Sequence, residues 1–165
     1  MKALRRVLTL AALVLVVGAC GAPPGVARPP EVRYGRSVCD RCGMIISDER
    51  FACGYVLKSG ETRIFDDIGE MVEELRERRP IDAAVFVHDY ETKGWIRAEG
   101  ASFVYSVDVR SPMGGGLAAF TSRERAQALA SRYGEAAVTW DKLLAGEQAR
   151  APAGASPRYV EDSGA

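Results

Sequence analysis

The chain has no surplus of positive charge, since its 165 residues include 22 basic and 22 acidic side chains. The first 19 residues hold three of the basic side chains and none of the acidic ones, so the remainder carries 19 basic against 22 acidic. Proteins that bind nucleic acid usually present a basic surface. The charge balance therefore argues against nucleic acid as a partner.

The chain also lacks an apolar stretch long enough to be assigned confidently to a membrane-spanning helix. The N-terminal stretch Val7–Val17 follows three basic residues, an order typical of a secretory signal. Val17-Gly18-Ala19-Cys20 looks like a bacterial lipobox, so we predict a signal peptide at residues 1–19 and lipid on Cys20. The lipid would anchor the protein to an inner or outer membrane on the extracytoplasmic, periplasmic side; a plain secreted protein is the alternative.

Cysteine and histidine are scarce, with four cysteines and one histidine in the whole chain. If Cys20 carries lipid, the thiols that remain are Cys39, Cys42 and Cys53. An odd number of thiols outside the cytoplasm suggests that at least one is kept for chemistry or is buried. A disulfide between Cys39 and Cys42 is the other possibility.

The two ends of the remaining chain are poor in large apolar residues. Residues 20–37 include Pro23-Pro24 and Pro29-Pro30, so we predict a lipidated N-terminus and an extended tether. Residues 145–165 turn to Ala, Gly, Pro, Ser and charge, which predicts a disordered tail. The folded, metal-binding domain is therefore expected at residues 38–144.

The first half of this domain has the pattern of two strands, a helix and a third strand. Asp67 to Glu70 resembles a capping box, in which an acidic side chain accepts early backbone N–H groups and Glu70 reaches back. Apolar residues at helical spacing follow, and Pro80 ends the helix. The strands that alternation and turn residues predict are residues 50–57, 62–65 and 83–88.

The same order of elements recurs in the second half. A second capping box at residues 121–124 begins a helix, and Gly134 ends it. The predicted strands are residues 101–109, 117–120 and 136–140. We therefore predict an α+β fold of two tandem ββαβ units, at about residues 38–90 and 95–144.

The most specific chemistry lies in residues 39–44, Cys-Asp-Arg-Cys-Gly-Met, where two thiols and a thioether fall within six positions. Met113 adds a thioether in Ser111–Gly116, a segment too rich in Gly and Pro for an ordinary strand or helix. Thiolate and thioether sulfurs are polarisable donors that prefer Cu(I) to harder ions. The predicted Cu(I) ligands are Cys42, Met44 and Met113, with Cys39 as a further candidate.

Other residues that metals use have simpler explanations. Cys53 shares a strand face with two aromatic residues, so we expect it in the core. Imidazole is a capable ligand, but His88 ends a predicted strand and we favour a structural role for it. The acidic pair Asp66 and Asp67 is explained by the start of the first helix.

The chain resembles the NosL-type lipoproteins, copper chaperones for nitrous oxide reductase. The matching segments are Cys20, Cys39–Ile46, Arg50–Ala52, Phe65–Gly69, His88–Tyr90, Trp95-Ile96, Pro112–Gly114 and Ala119-Phe120. The resemblance implies a Cu(I) carrier without catalytic turnover, with a fold like that of organomercurial lyase. It implies two partners, apo nitrous oxide reductase and its membrane transporter complex. Many members have one cysteine before Gly-Met, so Cys39 would be a further ligand or a disulfide partner.

Two other functions stay open from the residues themselves. A thiol–disulfide oxidoreductase could use Cys39 and Cys42, but such motifs normally open a helix, whose N-terminus lowers the pKa of the attacking thiol. Residues 43–46 do not look like a helix start. A structural zinc knuckle usually needs four N or S donors, and only Cys53 and His88 remain to complete one.

Overall fold

The computed structural model describes residues 27–146 of the chain. The predicted signal, the predicted lipid site at Cys20 and nearly all of the predicted tail lie outside the described residues. Among the helices of residues 27–146 there is no candidate for a membrane span.

The first half forms a four-stranded antiparallel sheet with one helix. Its strands are β1 (Cys53–Val56), β2 (Thr62–Phe65), β3 (Ala84–His88) and β4 (Trp95–Arg97), in the order β2-β1-β3-β4. Helix α1 (Ile68–Arg78) lies between β2 and β3. It begins because the Asp67 side chain accepts the Gly69 N–H, and it ends at Arg79, which adopts left-handed backbone angles just before Pro80.

The second half repeats this arrangement in a smaller sheet. Strands β5 (Ser102–Tyr105), β6 (Leu117–Phe120) and β7 (Val138–Thr139) pair in the order β6-β5-β7, with α2 (Arg123–Arg132) between β6 and β7. In both halves the first strand is central and the next two flank it. The predicted α+β fold of two ββαβ units is therefore confirmed.

Several details differ from the sequence prediction, among them the start of β1 at Cys53 rather than at residue 50. β5 ends at Tyr105 rather than Val109, because Ser106 begins a turn in which its carbonyl accepts the Val109 N–H at 3.1 Å. The predicted strand 136–140 shrinks to β7, because Trp140 begins helix α3 (Trp140–Ala145) and packs on Phe103. β4 was not predicted. The second helix is capped by Ser122, whose side chain accepts the Arg125 N–H. The predicted capping box would have used Thr121 instead.

The two sheets are joined and share a core. Asp89, at the end of β3, forms a parallel bridge with Ala119 of β6 and accepts the Thr121 N–H at 2.7 Å. One cluster of buried side chains includes residues of both halves. Val87 of β3 comes from the first unit, and Phe103 and Trp140 come from the second. The two units therefore fold around common apolar contacts.

The end of the predicted tether packs against this domain. Pro30 is buried, and the Gly35 N–H donates to the Ile46 carbonyl at 2.8 Å. Tyr34 bonds to His88 through its hydroxyl at 3.0 Å. Ordered structure thus begins before the predicted domain boundary at residue 38, because this segment buries apolar and aromatic side chains on the sheet.

Candidate metal centre

A short turn carries the two cysteines of the predicted site. In residues 38–45, which we name the cysteine hairpin, the Cys39 N–H donates to the Met44 carbonyl at 2.7 Å, and the two ends pair as an isolated antiparallel bridge. The Gly43 N–H donates to the Cys39 carbonyl at 3.0 Å. Gly43 has a φ of 75°, a conformation that favours glycine. The turn therefore folds Cys42 back beside Cys39.

Asp40 fastens the cysteine hairpin to β2. Its N–H donates to the Ile64 carbonyl at 2.8 Å, and its carboxylate accepts the Ile64 N–H at 2.7 Å. Arg63 adds a bond to the Asp40 carbonyl at 3.1 Å. Because β2 leads through Asp66 and Asp67 directly into α1, this attachment brings the two thiols to the first turn of the helix.

Arg41 fastens the other side of the hairpin to the outer face of α1. Its guanidinium bonds both oxygens of Glu77 at 2.9 Å and reaches Glu73 at 3.3 Å. Exposed ion pairs contribute little stability individually. A bidentate pair nevertheless fixes geometry, so the hairpin is held at two points.

Two thiols and two carboxylates meet at this place. The donor atoms of Cys39, Cys42, Asp66 and Glu70 all lie within 4.8 Å of one another. Cys39 Sγ is 3.2 Å from Glu70 Oε2, and Cys42 Sγ is 3.6 Å from Asp66 Oδ1. All three cysteines within residues 27–146 are free thiols. The cluster combines soft and hard donors that a metal ion could share.

Burial favours the protonated forms of the two thiols and of Glu70. It raises the pKa of the Cys39 thiol to about 12, and it is also the main cause that raises the pKa of Cys42. Burial raises the pKa of Glu70 too, although the hydrogen bond from Cys39 acts in the opposite direction. A metal must therefore displace protons from the thiols before it can bind thiolate.

The two predicted methionine ligands lie at the surface. Met44 is 55% exposed on the returning arm of the cysteine hairpin, and Met113 is 41% exposed in the loop before β6. Neither serves as core filling, which is the common use of methionine. Both thioethers are accessible to an ion that arrives from solvent.

Asp67 holds the loop of Met113 against the start of α1. Its side chain is buried, and beyond the capping bond to the helix it accepts the N–H groups of Met113 at 3.1 Å and Gly115 at 3.2 Å. The Ser111 hydroxyl donates to the same oxygen at 2.6 Å. One carboxylate thus fixes the helix start and the methionine loop, residues 111–116, relative to each other.

A cleft of about 370 Å³ lies between these two elements. Glu70 and Met113 both line it, together with Tyr105 from the second unit. Because Glu70 also accepts the Cys39 thiol, the cleft connects the methionine loop with the cysteine pair. The structure therefore brings Cys39 and Cys42 together directly and relates Met113 to them through Glu70.

Two further side chains that could bind a metal, His88 and Cys53, have structural roles. His88 is buried, with Nδ1 2.8 Å from the Ala52 carbonyl and Nε2 3.0 Å from the Tyr34 hydroxyl, so both ring nitrogens have partners. Cys53 is fully buried and faces the Phe65 carbonyl at 4.0 Å. The expected core role of Cys53 is confirmed, and neither residue belongs to the group of donor atoms around Cys39 and Cys42, which argues against a zinc knuckle built from them.

The sequence did not identify Asp66 and Glu70 as members of the cluster. Both had been assigned to the helix start, but only Asp67 caps α1, while Glu70 turns to Cys39 instead of reaching back as a capping box would require. A signal was present, since Asp66 and Glu70 are four positions apart and flank the cap. Local capping patterns cannot show that a distant hairpin packs on the same turn.

The chain matches the NosL family model over residues 33–146. The copper-binding lipoprotein NosL of Stutzerimonas stutzeri is 29% identical over 149 residues, which cover 82% of this chain and 78% of that protein. The crystal structure of the copper chaperone NosL from Shewanella denitrificans superposes with a TM-score of 0.58 at 22% identity, over 73% of this chain and 96% of that one. At this identity the superposition shows a shared fold. Since the family model covers well over half of the sequence, the chain belongs to the NosL family.

Proposed function

We propose that this protein is a lipid-anchored Cu(I) carrier of the cell envelope that delivers copper to apo nitrous oxide reductase. The observation that carries the proposal is the convergence of the Cys39 and Cys42 thiols at the start of α1, beside the cleft that Met113 lines. The names of two relatives, a copper-binding lipoprotein and a copper chaperone, support it. Copper is the cargo in this proposal, with no catalytic turnover.

The proposed ligands are Cys42, Met44 and Met113, with Cys39 as a further thiolate. Soft sulfur donors suit Cu(I). The sulfurs differ in access, because Cys39 is buried while Met44 and Met113 are exposed. The exposed thioethers would meet the ion first, and the thiols would retain it after they lose their protons.

Release would follow by ligand exchange. A site that is partly open to solvent lets an incoming His or Cys of the acceptor bind Cu(I) before a ligand of the carrier leaves. The exposed thioethers of Met44 and Met113 are the ligands best placed to leave, since their displacement disturbs no buried group. Transfer then needs no opening of the core.

The geometry disfavours a thiol–disulfide oxidoreductase. Such enzymes need an attacking thiol with a lowered pKa, and burial raises the pKa of Cys39 to about 12. Cys42 lies in a hairpin turn and not at a helix N-terminus. An insulin-reduction assay should accordingly show no turnover that depends on Cys42.

Anaerobic Cu(I) titration against a competing chelator tests the carrier. The chain from Gly21 onward should bind one Cu(I) tightly, and Cys42→Ser combined with Met113→Leu should lower the affinity by more than about 100-fold, because removal of even an outer partner of a ligand costs 10- to 100-fold. Met71→Leu, in the core of α1, is the matched control and should leave the affinity unchanged. Equal Cu(I) affinity of the double variant and the unaltered chain would refute the ligand set.

Two further measurements test delivery and anchoring. Copper-loaded protein, mixed with apo nitrous oxide reductase, should transfer copper to the enzyme faster than an equal amount of chelated Cu(I) does. Copper transfer no faster than from the chelator would contradict the delivery step.

The anchor is tested separately. Mass spectrometry of the protein expressed with its signal should find lipid on Cys20, and Cys20→Ala should abolish membrane attachment.

A further inference from the structure

The outer face of the cysteine hairpin is apolar, although solvent reaches it. Val38 and Ile45 are 52% and 56% exposed, and they form the antiparallel bridge of the hairpin. The backbone hydrogen bonds that flank this bridge lie one residue away on each side. It is therefore a non-hydrogen-bonded pair, whose side chains approach closely on one face. The two side chains form one continuous apolar surface.

Exposed apolar side chains are concentrated at this end of the domain. Within residues 27–146, six large apolar side chains are exposed; three of them belong to the cysteine hairpin, and a fourth is Met113 in the methionine loop. The other two, Ile81 and Val107, occupy separate turns. Apolar side chains that are exposed singly are ordinary, whereas adjacent ones mark contact sites. The hairpin surface therefore calls for a partner, and the separate turns do not.

We propose that Val38 and Ile45 form the docking surface for the protein that receives copper. This inference rests on the proposed carrier function, in which the acceptor is apo nitrous oxide reductase. Met44, a proposed Cu(I) ligand, directly precedes Ile45 and is also exposed by more than half. A protein that covers Ile45 can thus bring a His or Cys to the copper that Met44 releases. Docking and ligand exchange then occur at the same place.

The charges beside this surface favour a protein with a basic rim over a membrane. Arg41 of the hairpin pairs with both Glu73 and Glu77, which are exposed on the outer face of α1. Two carboxylates against one guanidinium leave a net negative charge. Bilayers with anionic lipids attract basic segments, so this surface is poorly suited to them. An acceptor with Lys or Arg around an apolar patch would be complementary.

The small size of the surface favours a transient contact over a permanent dimer. A stable interface takes about 20–30 residues from each side, whereas the apolar surface here consists of Val38 and Ile45 with Met44 beside them. A carrier must also leave its acceptor after delivery. A short-lived complex with the acceptor therefore fits the surface better than a second copy of this chain.

The test measures copper transfer to apo nitrous oxide reductase over a range of enzyme concentrations. It uses the chain without its first 20 residues, which retains every described residue. Val38→Thr with Ile45→Thr removes apolar surface but keeps β-branched residues that suit a strand pair. This variant should need more than about fivefold more reductase for the half-maximal transfer rate and should keep the maximal rate. Its Cu(I) affinity, measured against a chelator, should stay within about threefold of the unaltered value.

Ile81→Thr with Val107→Thr is the matched control, because these side chains are apolar and even more exposed. It should transfer copper like the unaltered chain. Equal transfer by the hairpin variant and this control would overturn the docking surface. A loss of Cu(I) affinity that matches the slower transfer would overturn it too, because the two residues would then support the copper site. If the unaltered chain delivers no faster than chelated Cu(I), the carrier function and this inference fail together.

Two further measurements test other occupants of the surface. If the unlipidated chain sediments with vesicles of phosphatidylethanolamine and phosphatidylglycerol, and the hairpin variant does not, the surface binds lipid and the inference is wrong. A dimer in analytical ultracentrifugation that only the hairpin variant dissociates would likewise overturn it. We expect a monomer in both cases and no sedimentation with vesicles.

Discussion

His88 is the only imidazole in the sequence, and its ring is locked between the Ala52 carbonyl and the Tyr34 hydroxyl. Burial raises the pKa of Tyr34 to about 12, so this hydroxyl stays a donor and Nε2 is the acceptor. Nδ1 then carries the proton and donates to Ala52. A side chain often assigned to metal binding therefore joins the N-terminal segment to the sheet.

Burial lowers the pKa of His88, although its bond to Ala52 acts in the opposite direction. Between the usual value near 6.5 and the lower value in the folded state, the unfolded chain binds more protons, so stability falls as the pH decreases from about 6.5. Above that pH the contribution of His88 is constant. We expect the single imidazole NMR signal to titrate below 6.5 in the folded chain and near 6.5 in urea. A folded midpoint at or above the urea value would contradict the buried, neutral ring.

Asp67 is the residue on which the two sides of the cleft depend. Asp67→Asn removes the charge that three backbone N–H groups and one hydroxyl share, and bonds to charged groups contribute about 1.5–3 kcal/mol each. We expect the free energy of unfolding, from urea titration, to fall by at least about 2 kcal/mol. Asp141→Asn, an exposed carboxylate in the first turn of α3, should change it by less than about 1 kcal/mol. Similar values for the two variants would contradict this role of Asp67.

For single residues, the sequence predicted the role of a side chain better than it predicted which distant residue that side chain contacts. The soft donors Cys39 and Cys42 and the core position of Cys53 could be inferred from motif and strand period. The role of Glu70 could not, because a capping pattern describes neighbours in sequence, and Glu70 instead faces a thiol 31 positions away.

The methionine loop has little room for an added side chain at Gly115. A Cβ on Gly115 would collide with the Asp67 carboxylate, whereas one on Gly100 would meet nothing within 4 Å. Gly115→Ala should therefore destabilise the fold by about 1–3 kcal/mol and weaken Cu(I) binding, because the loop that carries Met113 must move.

Gly100→Ala is the matched control and should change the free energy of unfolding by less than about 0.5 kcal/mol. Both variants can be compared by urea titration and by Cu(I) competition with the same chelator. Equal stability and equal Cu(I) affinity of the two variants would mean that the methionine loop adapts without cost.

The prediction of elements failed where tertiary contacts decide their ends. Residues 101–109 alternate like one long strand, but the turn at Ser106 ends β5 so that the chain can return through the methionine loop. Trp140 extends a strand pattern, yet its ring packs on Phe103 as the first residue of α3. The positions of helices α1 and α2 were predicted well because the apolar period is clear and a capping residue lies just before each helix, although neither capping box formed as predicted.

The whole domain is organised as a duplicated unit with a joint core. The order of elements, which the sequence reveals through its repeated pattern, was sufficient to predict two ββαβ units. The joining of the sheets was not predictable, because it depends on tertiary contacts at the end of β3, where Asp89 bridges Ala119 and accepts the Thr121 N–H. Burial would raise the pKa of Asp89, but backbone donors led by Thr121 overcome it and hold the pKa at about 2.

Because the core takes side chains from both units, we expect one cooperative unfolding transition. In Trp95→Phe, the fluorescence of Trp140 reports on the second unit and the joint core and should change at the same urea concentration as far-UV circular dichroism. Trp140→Phe, monitored through Trp95 on β4, gives the matched probe of the first sheet. Separate midpoints for the two probes would show that the units unfold independently.

The bonds of Asp67 have a consequence for how fast metal can bind. They form when the chain folds, so the helix start and the methionine loop hold their separation before any ion arrives, and the entropy of ordering them is lost in folding rather than in binding. Loading should then proceed in one kinetic phase, without a slow rearrangement. The apo-protein is, in this respect, preorganised for the ion that we propose it carries.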